Sequence, residues 1–326
     1  MGHESRELLR AGGGALLLAL GAGALQAETR PRVPTFAVGV EVVSLNLVVT
    51  DTGGRQVPGL SPDDITLLED GVPQPISLFA QEEWPIRLHV LLDGSGSMGA
   101  ALPVAKRAAT RMLRTLRPGD EAEVAQFSRS LTVLQESTGD MEALERAIGA
   151  VSPEGDTALY NALYVTLKDQ ARHRNADEMQ RRAIVVLSDG EDTASMVDDE
   201  QLIDLARQAG VVIYAIGLLT PPAAGHPAPT VPTYVLTALA RETGGRAYFP
   251  RSLAELDGAY DRIASELRTL YGVGYVPLNP SADGRFRRIA IRTRLGNLQL
   301  RHRSGYYAPG GSRSAFRILP ASPRQR

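Results

Sequence analysis

Two apolar runs constrain this chain most. Ile86-Arg87-Leu88-His89-Val90-Leu91-Leu92 and Ile184-Val185-Val186-Leu187 each stop abruptly in an acidic turn, Asp93-Gly94 and Ser188-Asp189-Gly190. Short apolar runs bounded by turn signals read as buried strands. Between and after them, from Trp84 to about Leu270, strand and helix periods alternate. Leu102, Ala105, Ala109, Met112, Leu113 and Leu116 keep helical spacing until Pro118-Gly119-Asp120. Residues 121–127 and 131–135 read as strands joined by a polar turn, and 141–148 as a short helix. Residues 158–172 read as an amphipathic helix, 198–209 as a helix capped by acids, and 211–218 as a buried strand. Helices over 235–243 and 253–270 follow. Such alternation implies an α/β, doubly wound, mostly parallel sheet covered on both faces. About 185 residues can bury a sizeable core in that way.

The flanks read differently. Val43, Leu45, Leu47 and Val49 share one face of an alternating segment, and Asp51-Thr52-Gly53-Gly54 signals a hairpin turn. Ile65–Glu69 and Gln74–Phe79 read as strands around Asp70-Gly71. After Leu270, strands are expected over 272–277, 285–292 and 298–303, with Gly305-Tyr306-Tyr307 closing the last. Neither flank is large enough to stand alone. The simplest arrangement is one small β-sandwich built from both, with the α/β domain inserted between them. The expected boundaries are 1–27 signal peptide, 28–35 linker, 36–83 N-terminal β flank, 84–270 inserted domain, 271–308 C-terminal β flank and 309–326 disordered tail. Thr220–Pro232 reads as a long exposed loop.

The candidate site follows from the strand ends. Asp93-Gly94-Ser95-Gly96-Ser97 presents one carboxylate and two hydroxyls where open parallel sheets place their ligands. The residue Asp93 is expected on a surface loop past the strand end, so that its loss opens no core cavity. Hard oxygen donors without imidazole or thiol suit Mg²⁺ or Mn²⁺ rather than zinc, and one carboxylate cannot complete an octahedral shell. Thr157, at the start of a helix, and Asp189, at the end of the second apolar run, are candidates for the remainder. As an isolated pattern Asp-x-Ser-x-Ser can be a polar turn. Three elements in order, each at a strand end or helix start, are much harder to obtain by accident.

At these residues the chain resembles the von Willebrand factor type A family. Its metal-ion-dependent adhesion site is Asp-x-Ser-x-Ser, then a loop Thr, then a strand-end Asp. The resemblance implies a von Willebrand A-like fold and metal roles for Asp93, Ser95, Ser97, Thr157 and Asp189. It also implies Mg²⁺ (or Mn²⁺ or Ca²⁺), with the sixth position left for a partner protein's Asp or Glu carboxylate. The stretches Val49-Thr50-Asp51 to Glu69-Asp70-Gly71, Tyr271–Tyr275 and Gly305–Tyr307 resemble the flanks of secreted bacterial proteins related to this family.

Other classes fit less well. Formal net charge is −2 over 326 residues, so nothing points to nucleic acid. There is no Cys, which excludes disulfides, thiol catalysis and Cys-zinc sites. No Gly-x-Ser-x-Gly elbow surrounds Ser95 or Ser97, no His-Glu-x-x-His is present, and position 95 is not the carboxylate that an Asp-x-Asp phosphatase needs. His89 reads as a core or edge histidine. A metal-dependent adhesion or assembly protein is therefore expected rather than an enzyme. The alternative is an assembly subunit whose metal only stabilises the fold; a hydrolase is the more remote rival. Arg6 and Arg10 followed by the Ala-, Gly- and Leu-rich stretch 11–25 have the layout of a secretory signal. The expected location is secreted or periplasmic, with no membrane span after signal cleavage. The alternative is an uncleaved anchor in the inner membrane. Oligomeric state is not legible.

Weaker clusters have bland readings. Asp156 reads as an N-cap, with added negative charge at the site's rim as the alternative; Glu191-Asp192 and Asp198-Asp199-Glu200 read as solvated residues favouring the next helix, with an extension of the metal site as the alternative; and Arg287, Arg288, Arg292, Arg294, Arg301 and Arg303 make a basic patch that reads as solvated sheet faces.

Overall fold

The computed structural model describes residues 42–81, 84–172, 180–189, 192–218 and 231–310. The signal peptide, the linker, nearly all of the loop 220–232 and nearly all of the tail 309–326 lie outside the described residues. No helix among the described residues is long and apolar enough to cross a membrane.

The N-terminal flank forms β1 (Val43–Asp51), β2 (Ile65–Glu69), β3 (Val72–Gln74) and β4 (Ile76–Ala80). The central part runs β5 (Ile86–Asp93), α1 (Leu102–Leu113), β6 (Glu121–Phe127), β7 (Leu131–Thr138), α2 (Met141–Ala150), α3 (Leu159–Arg172), β8 (Arg181–Ser188), α4 (Asp199–Ala209), β9 (Val212–Gly217), α5 (Val231–Thr243), β10 (Ala247–Tyr248) and α6 (Leu253–Arg268). The C-terminal flank adds β11 (Tyr271–Tyr275), β12 (Phe286–Thr293), β13 (Leu298–Arg301) and β14 (Gly305–Tyr307).

The central sheet has the order β10-β9-β8-β5-β6-β7 and is parallel except for the edge strand β7. Alternation along β5 sorts its side chains. Leu88, Val90 and Leu92 pack with α1, α2 and α6; Leu91 packs with α3, α4 and α5. The sheet is thus doubly wound, as expected, and its central strands are apolar because both faces are covered.

The two flanks interleave. One sheet has the order β13-β1-β11-β4 and the other β14-β12-β2-β3, so each takes strands from both ends of the chain. Val43 pairs with Tyr275, and Ile289 with Glu69. Leu45, Leu47, Leu67, Val273, Ile289 and Ile291 share one buried cluster between the sheets. The expected β-sandwich therefore forms.

Several elements differ from expectation. Gln74–Phe79 is not one strand: Pro75 separates β3 from β4, which join different sheets, because proline cannot donate to a ladder. The turn at 51–54 forms, but its return arm makes only the isolated bridge Thr50–Gln56. The helix α5 starts four residues before the expected Val235. The two-residue strand β10 carries too little pattern to be read.

Arg288, Arg292 and Arg294 are exposed, as expected, but Arg287, Arg301 and Arg303 are not simply solvated. Arg287 is buried and pairs with Asp283 at 3.0 Å. Arg303 donates to the Ser44 carbonyl at 2.8 Å. Arg301 donates to the Gly245 carbonyl at 2.8 Å and brings its charge to 2.7 Å from the buried Glu266 on α6. The Ser304 N–H donates to the Glu242 carbonyl of α5 at 3.0 Å. A Cβ on Gly244 would lie 2.8 Å from the backbone of His302 and Arg303. The sandwich and the central sheet are thus joined by buried polar contacts. The histidine His89 is a core residue, 3.2 Å from Glu123 on the neighbouring strand.

Candidate metal centre

The site sits at the carboxyl edge of β5 and β8, the two adjacent strands that the apolar runs build. Asp93 is the last residue of β5. It is not on a surface loop, as its sequence context predicts: it is completely buried. The cause is pairing, since β8 on one side and β6 on the other extend to its level. Its Oδ1 accepts the Ser95 N–H at 2.8 Å, and its Oδ2 accepts the Ser188 hydroxyl at 2.5 Å. Among the described residues no Lys, Arg or His pairs with this carboxylate. Burial is the main cause that raises its pKa; the bonds from Ser188 and Ser95 oppose this, and the charge of Asp189 adds to it.

Beyond Asp93 the chain turns sharply. A Cβ on Gly94 would fall 2.3 Å from the Gln126 side chain, so any larger residue would displace Gln126. Gln126 in turn clamps the loop after α2, donating to the Ser152 carbonyl at 2.8 Å and accepting the Ser152 N–H at 3.1 Å. Ser95 is buried and Ser97 exposed, with their hydroxyls 3.0 Å apart. A single 3-10 turn, Gly96–Ala100, then leads into α1.

Thr157 is brought to this loop through the backbone. The Gly96 N–H donates to the Gly155 carbonyl at 3.0 Å, and the Glu154 N–H donates to the Gly94 carbonyl at 2.6 Å. Gly155 adopts φ +71°, a left-handed conformation that suits glycine. Thr157 is buried.

The loop after Asp189 locks onto the start of α3. The Thr157, Tyr160 and Asn161 N–H groups donate to Thr193 Oγ1 (3.2 Å), Asp192 Oδ2 (2.8 Å) and Ser195 Oγ (2.9 Å). The Thr157 carbonyl accepts from Thr193 N and Ala194 N. These are the donors that a helix start leaves unpaired. Asp192 therefore serves the preceding helix α3 rather than the following one, whereas Asp198 caps α4 as expected. The negative charge of Asp192 and of Asp199, after the larger effect of burial, helps to push the Tyr160 hydroxyl up to about 12. Asp156 is not an N-cap: it pairs with Arg129, whose Nε donates to it at 2.8 Å.

The structure thus ties Asp93, Ser95 and Ser97 together directly. It sets Asp189 one residue beyond the bonded Ser188, and connects Thr157 through the Gly96–Gly155 bond. Among the described residues no three His, Asp or Glu side chains gather as a cation cluster; the candidate donors are two carboxylates and three hydroxyls. Sequence reasoning missed Ser188, Gln126, Asp192, Thr193 and Ser195. Ser188, beside the strand-end Asp189, carried the one usable signal.

Residues 88–191 match the model of the von Willebrand factor type A domain. Several solved structures are similar to part of the chain. An aerotolerance-related membrane protein from Bacteroides fragilis shares 20% identity, with 56% of this chain and 98% of that one covered at a TM-score of 0.44. The vWF domain of the type V pili tip protein Mfa5 from Porphyromonas gingivalis shares 14%, with coverages of 56% and 95% and a TM-score of 0.46. Proximal thread matrix protein 1 from the mussel byssus, described with a zinc-occupied MIDAS motif, shares 18%, with coverages of 60% and 48% and a TM-score of 0.46. No curated protein sequence matches significantly. Over residues 88–191, from the first central strand to the acidic turn after β8, the chain carries a von Willebrand factor type A domain.

Proposed function

We propose that this protein binds a divalent cation at the carboxyl edge of the central sheet and uses it to capture an acidic side chain of a partner protein, in adhesion or assembly. The observation that carries the reading is Asp93. A wholly buried carboxylate with no basic partner among the described residues is costly, and a bound cation removes that cost. The donors suit the group. Asp93, Asp189, Ser95, Ser97 and Thr157 are all hard oxygen ligands, the choice of Mg²⁺, with Mn²⁺ or Ca²⁺ in the same class. When bound, the cation supplies the positive charge that a partner's Asp or Glu seeks. The chain's own work is positional. Asp93 holds Ser95 by its N–H, Ser95 lies against Ser97, and the Asp192–Ser195 loop fixes the Thr157 backbone.

The test is Mg²⁺ and Mn²⁺ titration of the full chain by calorimetry, with EDTA-treated protein as the reference. One ion per chain is expected. Thr157→Ala should bind on the order of tenfold more weakly, since a neutral ligand attracts a cation less than a carboxylate does. Equal affinity in Thr157→Ala would remove Thr157 from the site, and no binding by the wild-type chain would refute the reading.

The same proposal places the protein outside the cytoplasm, on the signal-like layout of residues 1–27. N-terminal sequencing of protein recovered from cells should begin near Glu28. A mature chain that still begins at Met1 would favour the anchored alternative.

A further inference from the structure

The ion pair at the rim of this site bears on its open position, and its role rests on the cation-binding function proposed for the site. Asp156 directly precedes Thr157. The backbone around it is fixed on both sides. The Gly155 carbonyl accepts from Gly96 at 3.0 Å, the Thr157 carbonyl accepts from Thr193 at 2.9 Å, and the Ala158 N–H donates to the Ser128 carbonyl at 2.7 Å. Asp156 therefore has little but its own side-chain rotation with which to place its carboxylate. The last of these bonds also sets the β6–β7 turn beside the Thr157 loop. From that turn Arg129 takes the carboxylate, its Nε and Nη2 donating to Asp156 Oδ2 at 2.8 and 2.5 Å.

The pair does little for stability. Its side chains are 75% and 51% exposed, and exposed pairs contribute little. In the proposed site the three hydroxyls bind directly and the aspartates largely through water, which leaves an octahedral cation one position for a partner. A free carboxylate one residue from Thr157 would be drawn to a dication and would compete for that position. We infer that Arg129 is a positioning residue: it holds Asp156 off the cation, so that the remaining coordination position stays available to a partner's carboxylate.

Mn²⁺ serves as the probe in the full chain. Electron paramagnetic resonance reads its affinity, and water-proton relaxation reads the exchangeable water that it retains. Arg129→Ala should bind Mn²⁺ about tenfold more tightly, as an added carboxylate raises affinity, and with fewer bound waters. Arg129→Lys should behave as wild type. Adding Asp156→Asn to Arg129→Ala should restore both readings. Unchanged affinity and relaxation in Arg129→Ala would overturn the inference. So would weaker binding, which is what a merely structural role predicts, or a change that persists in the double variant. A wild-type chain that binds no Mn²⁺ would overturn the cation-binding reading and this inference with it; the other outcomes bear on Arg129 alone.

Discussion

Asp93→Asn should abolish Mg²⁺ binding while leaving the protein folded. The wild-type chain at a hundredfold excess of Mg²⁺ over its Kd gains about 2.7 kcal/mol from ligand linkage. That corresponds to a rise in Tm of roughly 5–10 °C for a domain of this size. The variant should show no rise. Without metal it should melt close to the wild type, because two changes oppose each other. The asparagine keeps only one of the two accepting oxygens that serve Ser95 and Ser188, but it removes a buried charge that no base offsets. Asp93→Ala should also lose the metal but melt lower. It leaves the Ser95 N–H without its acceptor in a buried place, at about 1–3 kcal/mol for an unsatisfied group, and removes the bond that Ser188 makes to Asp93. Scanning calorimetry of both variants, with Mg²⁺ and with EDTA, separates ligation from folding. A Mg²⁺-dependent rise retained in Asp93→Asn would place the cation elsewhere.

Arg301→Ala should destabilise the whole described fold by about 3 kcal/mol, the usual cost of breaking a buried ion pair from one side. It strips Glu266, which is 5% exposed, of the cation 2.7 Å away and leaves it Arg246 at 3.9 Å. It also deprives the Gly245 carbonyl of its donor. Because Arg301 lies on β13 of the sandwich and Glu266 on α6, the loss should appear as one cooperative transition at lower urea, with the slope preserved. Arg301→Ala/Glu266→Gln should recover part of it, since no uncompensated charge then remains. Two separate transitions in the wild type, with only one moved by Arg301→Ala, would show that the flanks and the central sheet do not unfold as a unit.

The sequence was most legible where local pattern and tertiary role coincide. The runs before Asp93 and Asp189 are apolar because both faces of their strands are covered, so their composition alone marked the sheet centre. Alternation at Val43–Val49 marked a one-sided strand for the same reason. The candidate donors stood out because each sits where a strand ends or a helix begins, positions that turn residues and polarity changes announce.

What the pattern could not carry was pairing. Whether Asp93 ends on a loop or inside the sheet depends on how far β6 and β8 extend beside it, and no residue near Asp93 encodes that. The split of Gln74–Phe79 across two sheets hinges on which strands β3 and β4 find, β2 and β11, the latter nearly two hundred residues along the chain by register with Phe79–Val273. The partners of Asp156, Asp192 and Arg301 were likewise beyond local reading. An exposed-looking charge acquires its role from whichever distant backbone or opposite charge the fold brings within hydrogen-bond reach. Local sequence by itself thus determined the elements, their covered faces and the donors at their ends. Tertiary structure alone decided which charges are buried and what holds the loops together, because burial and electrostatics depend on through-space distance, whereas periodicity depends only on position along the chain.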